Sequence, residues 1–524
     1  MSTGSFSKVG VVGLGTMGAG IAEVLARGGL DVVGIEVDAG ALERGRGHLE
    51  SSTGRAVKRG RLTEEAQQEL LGRVALSTDF AELGSCDLVI EAVPEAMDLK
   101  RGVFARLDEV CRADAVLATN TSSLPVTEIA ASTRRPAQVV GVHFFNPAPV
   151  MRLVEVIRTV LTDPDAVRRV EDLVRALGKT PVTIGDRAGF VANRLLFGYL
   201  NQAAGMLESG HATRDDIDTA MTAGAGLPMG PFTLMDLIGL DTCLGVLEAI
   251  HAETRDRRHA PSPILSELVR AGLLGRKTGR GFYTYGGDGQ DEEKAESSSE
   301  NQGKPSVGVV GEGFEAVIGK ADKACRFLAD GAELGDLTAC DLIIFAPGAT
   351  VEDQLAAAEA ARTGAILAVT DPAVPILRQA VATGRPEDVV GLRLPEPDAG
   401  LVEIATTDAC GAGVADRAAA LISSLGLTPV RCGGRAGFIV DALRFPYLND
   451  AAAMLGSGYA GADDIDAAMT LGCGYPTGPI ADLDRLGAGL AVAVLRGMHA
   501  ETGDPALVPV PMLQERAAMG RPLR

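Results

Sequence analysis

Apolar positions along this chain follow two rhythms. The first is a series of short unbroken runs, each ending in polar or small residues: Val9–Val12, "DVVGIEVD", "CDLVIEAVPE" at 86–95, "AVLATNTSS" at 115–123 and "QVVGVHFF" at 138–145. Such runs suit strands buried on both faces of a parallel sheet. The second rhythm begins near residue 187. "GFVANRLLFGYLNQAAGMLESG" has helical apolar spacing, and "TRDDIDTAM" opens with a threonine cap and acids in its first turn. "PFTLMDLIGLDTCLGVLEAI" reads as one further helix, and "LLGRKTGRGFYTYG" closes the region. An α/β domain followed by an all-helical one, with a substrate cleft between them, is the expected arrangement.

Both rhythms then recur. Residues 287–305, "GDGQDEEKAESSSENQGKP", have the polar, acidic, serine-rich composition of a linker. Beyond them "SVGVVGEGFEAV" echoes "KVGVVGLGTMGAG", and "CDLIIFAPG" echoes "CDLVIEAVP". The stretch from "GRAGFIVDALRFPYLND" to "PIADLDRLG" echoes residues 185–239. The chain reads as an internal duplication.

Composition narrows the class. At 524 residues the chain exceeds one core. No apolar run reaches the roughly 18–20 residues that span a bilayer. The opening "MSTGSFSKVGVVG" lacks the charged and apolar regions of a signal peptide, so a cytoplasmic protein without membrane contact is expected. The eight cysteines show no CxxC pair and no His/Cys ligand spacing, which predicts reduced thiols and no metal site. A net charge of −20 speaks against nucleic acid and anionic membranes as partners. A polyanionic ligand needs a local basic patch.

The first apolar run leads into Gly13-Leu14-Gly15-Thr16-Met17-Gly18 and then a helical pattern. In such a turn the first glycine bends the chain, the second admits a pyrophosphate, and the third lets helix pack on strand. Leu14 and Met17 belong to the same cofactor-facing loop. Glu36 closes the second strand, 18 residues past Gly18. An acid there binds ribose hydroxyls and repels a 2′-phosphate, so NAD is expected over NADP. Ligands in open α/β sheets sit outside the carboxyl ends of the strands, where Glu95, Asn120, Ser122 and His143 fall. "SSTGRAVKRGR" sets Arg55, Lys58, Arg59 and Arg61 on a helix and the turn after it, the patch that a polyanion needs. The expected fold class is α/β plus all-α. A Rossmann domain at 1–186 precedes a helical domain at 187–286 and the linker at 287–305. A truncated Rossmann-like domain at 306–431 and a second helical domain at 432–524 follow.

The pieces "GLGTMGAGIA", "DLVIEAVPE", "ATNTSSLPVTEIA", "GVHFFNPAPVMRLVEVI", "DRAGFVANRLL", "GAGLPMGPFTLMDLIGLD" and "RKTGRGFYTY" resemble the L-3-hydroxyacyl-CoA (3-hydroxybutyryl-CoA) dehydrogenase family and run in its order across residues 8–285. The resemblance implies reversible, NAD-dependent oxidation of an L-3-hydroxyacyl-CoA to the 3-ketoacyl-CoA. It implies His143 as general base, Glu155 as the partner of its imidazole, and Ser122 and Asn193 as neutral donors to substrate oxygens. It sets Glu95, Lys100, Ser122, Asn146 and Lys277 along NAD. CoA contacts map onto Ser52 and Arg59. The family usually has lysine at the latter position, and Lys58 is the neighbouring alternative. Helical domains of the family pair as dimers, so the two in this chain are expected to form a pseudo-dimer, with further self-association open. Two other readings stay in view: a sugar-acid dehydrogenase of the L-gulonate type, and a non-catalytic NAD-binding scaffold. The basic helix favours a CoA thioester over the first, and the intact Ser122, His143, Glu155 and Asn193 speak against the second.

The second copy departs where chemistry is expected. Ala316 replaces Gly18, Arg393 replaces His143, Asp441 replaces Asn193, and "VTDP" replaces "NTSS", while Glu403 keeps the place of Glu155. The stretch between its glycine turn and "CDLII" is roughly 44 residues shorter. The shortening is expected to remove the second strand, the counterpart of Glu36 and the basic helix. Arginine, with a pKa above ~12, cannot serve as base. The second copy is expected to supply packing and not catalysis.

Overall fold

The structure is a computed structural model, which describes residues 6–286, 305–312, 314, 317, 319–321, 323–327 and 334–524. Ala316 and all but the last residue of the expected linker lie outside the described residues.

The first sheet has eight strands: β1 (Lys8–Val12), β2 (Asp31–Ile35), β3 (Val74–Ser77), β4 (Leu88–Glu91), β5 (Val116–Thr119), β6 (Val139–Phe144), β7 (Leu153–Arg158) and β8 (Thr180–Gly185), in the order β3-β2-β1-β4-β5-β6-β7-β8. Neighbours are parallel except β6 and β7. The order reverses beside β1, the switch point at which open sheets bind ligands. β4 and β5 are buried at every residue, which is why they read as unbroken apolar runs. β3, β7 and β8 carry weaker signals. β3 is a partly exposed edge strand, and β7 follows a proline-broken turn.

The second sheet runs β10-β9-β11-β12-β13-β14-β15, from β9 (Ser306–Val310), β10 (Lys323–Phe327), β11 (Leu342–Phe345), β12 (Ile366–Val369), β13 (Val389–Arg393), β14 (Leu401–Thr406) and β15 (Thr428–Gly433). Its single antiparallel pair is β13 with β14. One expectation is corrected here. The shortening does not remove the second strand, because β10 pairs with β9 as β2 pairs with β1. A parallel β9 left as a bare edge would expose its backbone groups, and five residues of β10 cover it. Among the described residues there is no counterpart of β3 or of the long helix Ala39–Lys58. The residue after β10, where β2 is followed by Glu36, is Leu328.

The expected single helix over 231–250 is two, Pro231–Ile238 and Leu240–Thr254. Gly239 breaks them with φ +102°, a conformation open to glycine and costly for other residues.

The chain divides into two compact units. One holds residues up to Arg194 together with 252–254 and 457–478. In it, the segment 457–478 packs on β7 and β8, with the Tyr459 hydroxyl donating to the Gly185 carbonyl at 3.0 Å. The other unit holds the remaining described residues, including the second sheet. There the helix Val440–Gly456 is buried on nearly all sides. It meets the helix Ala192–Glu208 through Gln202, whose Nε2 donates to the Ala442 carbonyl at 2.7 Å, and through the Tyr199–Tyr447 ring pair at 6.4 Å. Arg258 and Asp450 form an ion pair. No helix among the described residues is long and apolar enough to cross a membrane.

Candidate active site

The antiparallel register of β6 and β7 sets His143 directly opposite Glu155. Side chains so paired lie within reach of each other, and the imidazole Nδ1 stands 2.7 Å from Glu155 Oε2. Both residues are buried. The second carboxylate oxygen, Oε1, accepts from the backbone N–H groups of Val191 and Ala192, each at 3.2 Å, where the helix Ala192–Glu208 begins. Helix-start amides and the helix dipole stabilise a carboxylate there. A carboxylate accepting at Nδ1 leaves the proton on that nitrogen and a lone pair on Nε2. The rings of Phe145 and Phe190 lie 4.6 Å and 5.7 Å from the imidazole. Phe190 takes a left-handed φ of +50°, a strained choice for a bulky residue.

A cleft of about 290 Å³ opens at these strand ends. His143, Asn193, Ser122 and Asn120 line it, with Glu95, Asn146 and Met17. Asn120 Oδ1 accepts from the Phe144 N–H at 2.8 Å and so ties β5 to the end of β6. Glu95 Oε1 accepts from the Thr121 hydroxyl at 2.6 Å and from the Ser122 and Ser123 N–H groups at 2.9 Å and 3.1 Å. Burial would raise the Glu95 carboxyl, but the Lys100 charge and these hydrogen bonds outweigh it and hold the group below its ordinary range. Lys100 itself is fully buried. Its Nζ donates to Glu91 Oε1 at 2.8 Å and lies 3.3 Å from Glu95 Oε2. It does not line the cleft, and its charge is spent on the two carboxylates beneath it.

The three positions of the glycine turn differ in space. A Cβ on Gly18 would lie 1.8 Å from the Gly13 carbonyl oxygen, and Gly13 itself has φ +87°. A Cβ on Gly15 would meet nothing within 4 Å. The helix Thr16–Arg27 starts there without a side-chain cap. An open approach to an uncapped helix start fits a pyrophosphate. Glu36 Oε1 accepts from the Leu14 N–H at 2.5 Å, which holds this carboxylate against the turn.

Ser52 and Lys58 lie on the helix Ala39–Lys58, and Arg59 ends it. Gly45 lets this helix press on Leu14, since a Cβ there would lie 2.5 Å from the Leu14 Cβ. Lys58, Arg59 and Arg61 are exposed, and among the described residues none of the three has an ion-pair partner. Lys277 belongs to the other unit, where it pairs with Asp241.

Glu91, Phe145 and Phe190 were not legible as site residues. Glu91 had one signal, a charge inside the apolar run "DLVIEAV". The two phenylalanines look like ordinary core until the fold sets their rings on His143.

In the second sheet the register repeats, with Arg393 opposite Glu403. Glu403 Oε1 accepts from Ile439 and Val440 at 2.9 Å and 2.8 Å, as Glu155 does from Val191 and Ala192. Arg393 Nε instead donates to Asp441 Oδ2 at 2.8 Å, so the position that matches His143 is closed by an ion pair.

Comparison with known proteins adds names. The model of the 3-hydroxyacyl-CoA dehydrogenase NAD binding domain matches residues 8–187, and that of the C-terminal domain matches 189–285 and again 437–524. A probable 3-hydroxybutyryl-CoA dehydrogenase of Deinococcus radiodurans is 45% identical over 278 residues, 53% of this chain and 100% of that protein. The 3-hydroxyadipyl-CoA dehydrogenase of Escherichia coli K12 is 33% identical over 514 residues, 98% of this chain and 97% of that one. Among solved structures, that of 3-hydroxybutyryl-CoA dehydrogenase from Escherichia coli K12 is similar, with a TM-score of 0.82 at 31% identity, covering 98% of this chain and 99% of the other.

Proposed function

The chain belongs to the 3-hydroxyacyl-CoA dehydrogenase family, of NAD-dependent oxidoreductases, and from that premise we propose that it oxidises L-3-hydroxyacyl-CoA thioesters such as 3-hydroxybutyryl-CoA at His143. The observation that carries this is the buried His143–Glu155 pair at the mouth of the glycine-turn cleft. His143 Nε2 takes the proton of the 3-hydroxyl. Glu155 holds the tautomer that makes this possible and stabilises the imidazolium that forms. Ser122 and Asn193 donate to the substrate oxygens, neutral groups where charge develops. NAD, when bound, accepts the hydride from C3. Gly13, Gly15 and Gly18 shape its phosphate site, with Leu14 and Met17 beside them and Glu36 at its ribose. Asn120 and Glu95 support the strand-end loops, and Lys100 acts through Glu95. Ser52, Lys58 and Arg59 meet the CoA phosphates.

We read the second half as a duplicated copy without this chemistry, paired with the first through the helices Ala192–Glu208 and Val440–Gly456 as a pseudo-dimer. Two matches of one C-terminal domain model and the repeated β6–β7 register support this.

A longer, dicarboxylic acyl group is the second reading for substrate, favoured by the full-length similarity to a 3-hydroxyadipyl-CoA dehydrogenase. Rates with 3-hydroxybutyryl-CoA and 3-hydroxyadipyl-CoA separate the two. The decisive variant is His143→Gln. A positioned base contributes typically ~10²–10⁴ in rate, so turnover should fall by that order with NADH affinity unchanged. Turnover within threefold of the parent, about 0.65 kcal/mol, would remove His143 from the role of base.

A further inference from the structure

The segment 457–478 comes from the catalytically altered half, yet it packs on the strand that carries Glu155. Its helical turn Ala468–Gly472 lies against β7. At the end of that turn, a Cβ on Gly472 would lie 2.7 Å from Leu153 Cδ2 and 3.2 Å and 3.4 Å from Phe145 Cε1 and Cζ. Leu153 shares a strand face with Glu155, two residues on. Phe145 is the ring 4.6 Å from the imidazole of His143, and it lines the cleft. Gly472 therefore backs the aromatic wall of the base and the strand that holds its partner. A second anchor lies along the same segment. Tyr459 donates to the Gly185 carbonyl, and the Arg187 guanidinium covers its ring at 4.6 Å. The Glu155 charge is felt across this contact, where after burial it helps push the Cys473 thiol up to about 12.

The second sheet shows the same contact in reverse. Gly224 sits where a Cβ would lie 3.1 Å from Leu401, Pro395 and Val440, beside the pair Arg393–Asp441. Each sheet thus receives its backing turn from the other half of the sequence, and only one of the two sheets carries a base.

We propose that the second half completes the active site of the first, with Gly472 as a positioning residue that keeps Phe145 against His143 and supports the wall of the cleft that Phe145 lines. The inference rests on His143 being the base. Its side-chain packing can be read without turnover, which keeps the two claims separable.

The experiment compares Gly472→Val with Gly224→Val in the full chain. The two substitutions add the same bulk to equivalent turns against different sheets. Histidine is labelled at Cε1, and the His143 resonance is the one lost in His143→Gln. In Gly472→Val the displaced Phe145 ring should shift that resonance. With 3-ketoacyl-CoA and NADH, kcat should fall about tenfold or more, because misplacement of a catalytic group by ~1 Å can cost ~10²-fold. NADH affinity should be unchanged. Gly224→Val should leave the resonance and kcat as they are. Gly472→Ala, the smaller change, should show an intermediate shift. A Gly472→Val protein with an unmoved His143 resonance and parental kcat would overturn the proposal, as would equal losses in the two valine variants. A moved resonance in a protein whose His143→Gln variant keeps full turnover would leave the packing standing and end the assignment of the base.

Discussion

Glu155 serves two partners at once, the imidazole through Oε2 and the first amides of the helix Ala192–Glu208 through Oε1. Glu155→Gln keeps an oxygen for one of them. With the amide oxygen toward the helix start, its NH2 faces Nδ1 and favours the wrong tautomer of His143. With the oxygen toward Nδ1 the tautomer is kept, but the charge that stabilises the imidazolium is gone and the helix-start amides lose their acceptor. Turnover should fall by roughly 10²–10⁴-fold while NADH binding persists, a split that stopped-flow binding and steady-state rates resolve. Glu403 holds the equivalent seat with opposite consequences. Burial, with the Asp441 charge beside it, pushes its carboxyl up to about 8 against the pull of the Val440 and Ile439 amides and of Arg393. The unfolded chain ionises this group near its ordinary value of 4.5. Between those two pH values the folded protein keeps a proton that the unfolded one has lost, so stability falls as pH rises through the window. Glu403→Gln should flatten that decline. Melting temperatures at pH 5 and pH 8 check it, and an equally steep fall in the variant would show that Glu403 does not cause it.

At the scale of the element, the glycine turn is the clearest case of sequence dictating geometry. Gly18 and Gly15 look alike in the motif but differ in space. A methyl on Gly18 collides with a carbonyl in its own turn, so Gly18→Ala should destabilise the fold by about 1–3 kcal/mol. A methyl on Gly15 meets only open space. Gly15→Ala should therefore melt with the parent yet bind NADH at least about tenfold more weakly, a loss of ~1.4 kcal/mol. Calorimetry and a fluorescence titration give the two numbers, and a Gly15→Ala protein with parental affinity would exclude the turn as the phosphate site. Elements with a strong local signal were legible in this way: buried parallel strands, the capped helix at Thr213, the turn itself. Those decided by distant partners were not. β10 lies in a stretch with no apolar run, and its strand state comes from pairing with β9. β3 is an edge. The apolar spacing continues through Gly239 and hides the break that its φ of +102° makes. His143 and Glu155 could be named from the motif, whereas Phe145 and Phe190 became site residues only through the fold. Lys100 was expected along the cofactor, but a charge buried that deeply must be paired, and Glu91 and Glu95 claim it.

At the scale of the molecule, the two halves exchange parts. In one unit the first sheet holds 457–478, and in the other the second sheet holds residues 211–224, with the Gly433 N–H donating to the His211 carbonyl at 2.7 Å and Ala212 bridging to Cys432. A chain ending at residue 286 loses the segment on β7 and β8 and the buried helix that meets Gln202 and Tyr199. It keeps a similar stretch in place of each: "DDIDTAMTAGAG" resembles "DDIDAAMTLGCG", and "NRLLFGYLNQ" resembles "DALRFPYLND". Two truncated chains can therefore supply each other with what the second half supplies now, in a closed two-fold pair. Relatives of the first half alone, such as the Deinococcus radiodurans protein, match over their whole length. The truncated chain should be a dimer by light scattering, with a melting temperature that rises with protein concentration, as for any fold linked to association. Its specific activity should fall on dilution. Separately expressed residues 305–524, added in excess, should restore activity to the diluted sample. A truncated chain that stays monomeric at every concentration, melts with the full-length protein and keeps its turnover would show that the first half needs no such partner, and the second half would have to be kept for a ligand of its own.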